Sequence, residues 1–333
     1  MSPNPMAEAA IYAEQLAKRY GEVEAVRGID LSVKPGEIFG FLGPNGAGKS
    51  TTINMLCTLL RPTGGRAAVA GIDVARDPGA VRSRIGLVFQ DPALDEQLTA
   101  RENLDFHAFL YNVPRATRHE RVDTVLAMVE LKDRAGSKVM TFSGGMKRRL
   151  EIARGILHSP EVLFLDEPTR GLDPQTRRHI WDYLRELRRH EGITIFMTTH
   201  YMDEAEYCDR IAIIDMGRIV ALGTPDELKA RVGGDVITIA TANNAASATE
   251  IKQRYGLSPI VDNGTLRVEV SDGAAFVPRL VRELSQPVTT VTLRRPSLDD
   301  VFLKLTGHAI REEQAGALDQ LRAMGARWGA RRR

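Results

Sequence analysis

The chain has 333 residues, 43% of them hydrophobic, with 45 Lys and Arg against 43 Asp and Glu for a formal net charge of +2. That length allows one large domain or two modest ones with ample core, and so balanced a charge argues against a nucleic-acid partner. Two cysteines, Cys57 and Cys208, both within apolar helix-like segments, exclude a disulfide framework and fit a reducing cytosol, while residues 1–10 lack a secretory pattern and no apolar run approaches the ~18 residues of a membrane span.

Residues 11–20 and 23–33 read as strands, most clearly where Ile29, Leu31 and Val33 alternate with Asp30, Ser32 and Lys34. Tyr20 closes the first; an aromatic there could stack on a purine, although packing is the commoner role of a lone tyrosine. Pro35 and Gly36 turn the chain into an apolar run, 38–42, which feeds Gly43, Pro44, Asn45, Gly46, Ala47, Gly48, Lys49, Ser50 and Thr51 and then a helix-like segment through Leu60. Glycines between a strand and a helix let successive amides point inward at the positive end of the helix dipole, which makes a nest for phosphate. Lys49 supplies a cation for the β- and γ-phosphates, and the Ser50 hydroxyl is available to a bridging Mg²⁺. These residues describe a Walker A loop, which leaves the reaction open among kinases, GTPases, transporters and motors.

A turn at 62–65 precedes strands expected at 67–74 and 85–89, the latter followed by Gln90. Thr99 and Glu102 are spaced as a capping box for a helix through Leu110, and a second helix is expected from about 118 to 131. Together they form a helical insert at about 98–142. Ser143, Gly144 and Gly145 then start a long helix, 146–157, where a capping hydroxyl and two glycine amides could make a second anion site, although an ordinary capped helix is the commoner meaning of such a start. The apolar run 162–165 suits a strand covered on both faces of a parallel sheet. Asp166 and Glu167 end it, where an open α/β sheet places its ligand crevice. Pro168 predicts an extended backbone at Glu167, which would point the two acids to opposite sides: Asp166 to the Mg²⁺ shell, Glu167 to a water lined up behind the γ-phosphate.

Asp173 caps a helix opened by Pro174, and 193–199 is a further strand with His200 at its end, level with Asp166; a lone histidine is usually structural, but one at a strand end beside a nucleotide site could hydrogen-bond a γ-phosphate. A hairpin at 210–222 and a helix capped by Thr224 follow. Gly233 and Gly234 mark a boundary. Beyond them strands at 235–241, 259–262, 265–270 and 288–295 and helices at 246–255 and 273–285 follow the order of a ferredoxin-like unit. A helix over 297–305 and a basic tail, 308–333, expected to be disordered at its end, complete the chain.

In their order and spacing these motifs resemble those of the nucleotide-binding subunits of ABC transporters, over roughly residues 11–232. The resemblance implies an α/β fold: a P-loop ABC ATPase core with an antiparallel β subdomain and a helical insert (domain 1–232), plus a small C-terminal α+β domain (235–307). It makes Gln90 the Q-loop residue, a catalytic and metal-shell candidate, and puts Ser143, Gly144 and Gly145 in the signature loop. It also makes Asp166 and Glu167 the end of Walker B, Asp173 part of the D-loop, His200 the switch histidine and Tyr20 the adenine-stacking aromatic. Phe142 and Met146 depart from the commonest signature, but the serine and both glycines are kept. The C-terminal part, especially Leu298, Asp299, Asp300, Val301, Phe302 and Leu303, is similar to that of the daunorubicin-resistance exporter ATPases, which implies a drug or lipid-like substrate handled by a separate permease.

With two phosphate-binding helix starts but only one Walker B pair, one nucleotide needs both starts, and the resemblance implies that the second comes from an opposing subunit: a head-to-tail homodimer that buries two ATP molecules with Mg²⁺, on the cytoplasmic face of the membrane and under an integral-membrane permease docked on the insert. A soluble ABC ATPase acting on ribosomes or DNA is the alternative. It fits less well, because ribosome-acting relatives usually carry two cassettes in one chain and repair relatives insert a long coiled coil. A nucleotide-gated binding module without catalysis would be favoured by loss of Glu167 or His200, and both are present.

Overall fold

Residues 5–91, 93–262 and 264–307 are described by the computed structural model, and the tail expected at 308–333 lies outside them. After α1 (Pro5–Glu8), strands β1 (Ile11–Tyr20) and β2 (Val23–Val33) pair antiparallel, with Ile11 opposite Val33 and Tyr20 opposite Val23. The chain then enters β3 (Ile38–Leu42), the glycine-rich loop and α2 (Lys49–Leu56). This helix stops before Leu60, because Thr58 takes a φ of 63° and residues 57–60 close a turn. The strand expected over 67–74 is two, β4 (Gly64–Val69) and β5 (Ile72–Asp73). Ala70 and Gly71 have φ of 50° and 74°, the paired left-handed conformation of a two-residue hairpin. Helix α3 (Pro78–Arg84), which the sequence pattern did not reveal, is announced only by its Asp77 cap and the Pro78 that follows.

After β6 (Ile85–Val88) comes the insert. Helix α4 (Ala100–Leu110) has the expected capping box, and α5 (Arg115–Met128) begins three residues earlier than expected because Pro114 opens it. Helix α6 (Gly144–Ile156) is capped by Ser143, whose hydroxyl accepts from Met146 N. Strand β7 (Val162–Asp166), α7 (Pro174–Glu191), β8 (Thr194–Thr199), α8 (Met202–Ala205), β9 (Arg210–Asp215), β10 (Arg218–Gly223) and α9 (Pro225–Ala230) follow.

A six-stranded sheet, ordered β10-β9-β3-β8-β7-β6, is parallel except where β10 meets β9. Its period-2 side chains serve two cores. Ile38, Leu42, Leu163, Leu165, Ile195 and Met197 pack with the insert and α7, whereas Phe39, Phe41, Phe164 and Phe196 pack under the β2-β1-β4-β5 sheet and α2. Phe196 centres the second core, its ring 5.7, 5.5 and 5.6 Å from those of Phe39, Phe41 and Phe164. Leu42 stands opposite Thr199, and Asp166 opposite Thr198, so the ends of β3, β7 and β8 meet at one edge.

The last region forms an antiparallel sheet from β11 (Asp235–Thr241), β12 (Ile260–Asp262), β13 (Thr265–Val270) and β14 (Val288–Arg294), ordered β12-β13-β11-β14 as in a ferredoxin-like unit. Helices α10 (Asn244–Tyr255) and α11 (Gly273–Glu283) contribute to a core of its own around Ile237, Ile251, Leu266 and Leu280. Helix α12 (Leu298–Thr306) does otherwise: its Leu298, Val301 and Phe302 join Met202, Ala205 and Leu228 in the first core.

Helix α6 comes close to β6 at Gly86, where a Cβ would lie 2.1 Å from the carbonyl oxygen of Gly155. Gly86→Ala should therefore lower stability by about 1–3 kcal/mol. A urea-unfolding midpoint equal to that of the unsubstituted protein would show that β6 and α6 can separate without loss.

Candidate nucleotide site

The loop between β3 and α2 is shaped by three glycines. A Cβ on Gly43 would sit 2.3 Å from Ile214 O, and one on Gly48, at a φ of 108°, 2.6 Å from Ala25 O. Gly46 has open space but a φ of 79°. Ala47 is tied in by bonds from its N–H to Pro44 O and from Gly217 N–H to its own carbonyl. No side chain caps α2, which leaves its first amides facing the loop, as an anion site requires. Lys49 is 5% exposed and donates to Gly43 O at 2.7 Å and Pro44 O at 3.1 Å, while its Nζ lies 3.4 Å from Glu167 Oε1. Burial lowers the lysine's pKa, against the opposing pull of Glu167.

The acid pair is set from the start of α2 and from β8. Asp166 Oδ1 accepts from Ser50 Oγ at 3.3 Å and from Thr198 Oγ1 at 2.5 Å. Thr198 Oγ1 in turn accepts from the N–H of Glu167 at 3.0 Å. Sequence reasoning missed Thr198; its one signal is a polar Thr198-Thr199 pair closing an otherwise apolar strand. Glu167 Oε1 is also 3.2 Å from His200 Nδ1, close enough for an ion pair but not aligned as a hydrogen bond, so that this buried nitrogen lacks a hydrogen-bond partner among the described residues. Burial alone would raise the Glu167 pKa, but His200 and Lys49 outweigh it and hold the carboxyl below the usual range.

Two expectations need correction here. Glu167 is not extended but left-handed, with a φ of 46°. Pro168 keeps it out of the right-handed helical region, yet the bond to Thr198 and the pull of Lys49 and His200 turn its side chain back over the loop instead of away from it. The residue level with Asp166 is Thr198, and His200 lies two positions beyond.

The remaining candidates lie outside this cluster. Tyr20 is 49% exposed, with Lys18 Nζ over its ring, 5.2 Å from the centre. Gln90, just past β6, is half-buried and makes no hydrogen bond to Ser50, Asp166 or Glu167. Ser143 and Gly144 are exposed, and a Cβ on Gly145 would lie 2.6 Å from Thr176 Cγ2. No hydrogen bond or ion pair among the described residues joins this helix start to the 43–49 loop. Asp173 caps α7 through Gln175 N and Thr176 N, and its hydrogen bonds with Thr176 lower its pKa.

Ser50 Oγ and Asp166 Oδ1, 3.3 Å apart, are two hard oxygen donors at the mouth of an amide nest, a donor set that suits Mg²⁺ shared with phosphate oxygens. No helix among the described residues is long and apolar enough to cross a membrane.

Residues 26–170 match the family model "ABC transporter", and residues 223–306 match "ATP-binding protein DrrA1-3-like, C-terminal domain". The chain is similar to the daunorubicin resistance ATP-binding protein DrrA3 of Streptomyces coeruleorubidus, 43% identical across 93% of this chain and 100% of that one. It is also 40% identical to the linearmycin resistance ATP-binding protein LnrL of Bacillus subtilis (strain 168), over 91% and 100% of the two chains. Among solved structures it resembles the dimeric post-hydrolysis state of the ATP-binding cassette MJ0796 bound to ADP and Pi. There the TM-score is 0.58 at 30% identity, over 64% of this chain and 98% of that one.

A carboxyl held below its usual pKa of 4.5 stabilises the fold fully above that pH and loses the contribution as pH falls through the folded value. Between about pH 5 and pH 3 the unfolding midpoint of Glu167→Gln should therefore fall less steeply than that of the unsubstituted protein. Parallel curves would mean that Lys49 and His200 do not stabilise the Glu167 carboxylate.

Proposed function

Since the chain belongs to the ABC transporter ATP-binding family, we propose that it is the ATP-hydrolysing subunit of an exporter that moves a drug or lipid-like compound through a separate permease. The observation that carries this is the convergence of Lys49, Ser50, Asp166, Glu167 and His200 on one glycine loop. Its relatives DrrA3 and LnrL are named for drug resistance, and that supports export over a ribosome or DNA role. Residues 1–232 serve as the ATPase domain and 235–307 as an accessory domain.

Each residue acts by its chemistry. The amides of Gly46, Ala47, Gly48 and Lys49 and the Lys49 ammonium hold the triphosphate, and Tyr20 stacks on the adenine. Ser50, Asp166 and Gln90 would hold Mg²⁺, which would supply charge neutralisation between phosphates. Glu167, kept ionised beside the Lys49 ammonium, accepts the proton of the attacking water, and His200 holds the γ-phosphate. Ser143 and Gly144 are exposed and, with Gly145, unlinked to this cluster, which supports their reaching the nucleotide of a second copy, with Asp173 beside the shared interface. The dimeric form of the related MJ0796 cassette supports the same assembly.

A 720 Å³ groove runs between the central sheet and the insert, lined by Leu59, Phe89, Phe106, Leu110 and Tyr111. Phe106 and Leu110 are 55% and 54% exposed, one turn apart on α4. His107 beside them has its pKa lowered to about 4, by burial and then by Arg154, so that this imidazole stays neutral at physiological pH. An apolar groove beside Gln90 supports docking of the permease here, with the subunit peripheral on the cytoplasmic face.

Lys49→Ala should abolish ATP binding, whereas Glu167→Gln should bind ATP and lose about 10²–10⁴-fold in turnover, because an amide cannot accept the proton. With ATP and Mg²⁺, Glu167→Gln should run as a dimer in size measurement, and without them as a monomer. Wild-type turnover in Glu167→Gln would remove it as the base, and an ATP-independent monomer would sink the shared sites. Leu110→Glu should keep ATP binding but lose co-purification of a membrane protein from native membranes; undiminished recovery would place the permease elsewhere.

A further inference from the structure

The left-handed φ of 46° at Glu167 is a conformation that non-glycine residues adopt at a cost, and it persists only where the surroundings over-determine it. One guanidinium supplies much of that constraint. Arg148, on the second turn of α6 and 6% exposed, donates through Nε to Pro168 O at 2.6 Å and through Nη2 to Asp166 O at 3.2 Å, so that it grips the carbonyls on both sides of Glu167. The same fork donates through Nη1 to Phe89 O at 2.6 Å, the carbonyl just before Gln90.

Arg148 is itself fixed. Glu151, fully buried one turn on, accepts from Arg148 Nη1 at 3.0 Å and from the N–H of Ala93 at 2.7 Å. Arg154 lies 3.6 Å from Glu151 and donates to Ala93 O at 2.8 Å. The loop carrying Gln90 is therefore pinned on both flanks, at Phe89 and Ala93, by the helix that also grips the backbone around Glu167. Three charges spaced three apart on α6 are spent on main-chain carbonyls and amides, none on solvent.

We propose that Arg148 is a positioning residue for hydrolysis. Its guanidinium holds the strained backbone of Glu167, so that the carboxylate points over the loop, and locks the Gln90 loop to the same frame. It touches neither nucleotide nor metal ligand side chain and acts through Glu167, which rests on the assignment of Glu167 as the base made above. Lysine could reach one of the three carbonyls but not fork across them.

The test is steady-state kinetics of Arg148→Lys. Loosening Glu167 by a fraction of an ångström should lower kcat by about 10- to 100-fold. The KM for ATP should stay within about 3-fold, because the phosphate loop is untouched. In the Glu167→Gln background the same substitution should change the residual turnover by less than about 2-fold, since the group it positions is already gone. Should Arg148→Lys fail to fold, Arg148→Gln leaves no buried cation unpaired there, and Glu151 keeps Arg154 and Ala93; the same kcat and KM split is expected. A folded variant with kcat within about 2-fold of wild type, a KM loss matching the kcat loss, or multiplicative losses in the double variant would overturn the proposal. Wild-type turnover in Glu167→Gln alone would instead defeat the assignment of the base, so the two failures are separable.

Discussion

The site depends on a buried cation facing a carboxylate across the gap between two strand ends. Lys49 is taken out of water at the start of α2, and such a charge is tolerated only with close partners. It has three: the carbonyls of Gly43 and Pro44 and the carboxylate of Glu167. Breaking such a pair by removing one partner typically costs about 3–5 kcal/mol, so the loop and the end of β7 are bound to one another energetically as well as by the sheet. Phosphate oxygens offer the same kind of acceptor as those carbonyls. The ammonium is thus pre-placed among oxygens, and an ATP-binding geometry needs little reorganisation to receive its ligand.

That arrangement is possible because the parallel sheet is buried on both faces. Alternate residues of β3, β7 and β8 feed two apolar cores, which leaves their carboxyl ends as the places where the strands can expose polar groups. Thr198 shows how tightly the ends are linked: its hydroxyl donates to Asp166 and accepts from the N–H of Glu167, so β8 helps to set both acids at the end of β7. The strain at Glu167 follows from asking one residue to satisfy the backbone bond to β8 and the side-chain pull toward Lys49 at once.

Much of this was legible in the sequence, for reasons that differ from element to element. The glycine loop, the capping box at Thr99 and the strand 162–165 are local patterns, in which the residues that make the structure are adjacent or one turn apart. The ferredoxin-like order of the last region could be read from spacing alone. What could not be read are facts made by residues far apart in the chain. The split of 67–74 rests on Ala70 adopting a left-handed turn, which its type does not advertise. The bend at Glu167 and the part played by Thr198 arise only when β8 is laid beside β7, 32 residues away from Asp166. Arg148 looks like one of several basic residues on a helix until Asp166, Pro168 and Phe89 are brought to it.

The packing of α12 shows why the C-terminal region is more than a neighbour of the ATPase core. Its sheet has a small apolar cluster of its own, and units of this size are marginal alone because they bury a modest share of their surface. Instead of closing over that cluster, α12 crosses back: Leu298, Val301 and Phe302 enter the central core beside Met202 and Ala205 of α8, and Lys304 donates to Val232 O at 2.7 Å. Helix α8 directly follows His200, and its buried Glu204 accepts from the hydroxyls of Thr199, at the end of β8, and Thr169, just past Pro168. Burial raises the pKa of that carboxyl against the lowering effect of the two hydroxyls. A buried acid with two donors fixes its surroundings more rigidly than an apolar contact, because moving either strand end would leave it unsatisfied. The C-terminal helix therefore packs behind the segment that follows His200, and the two regions share one core.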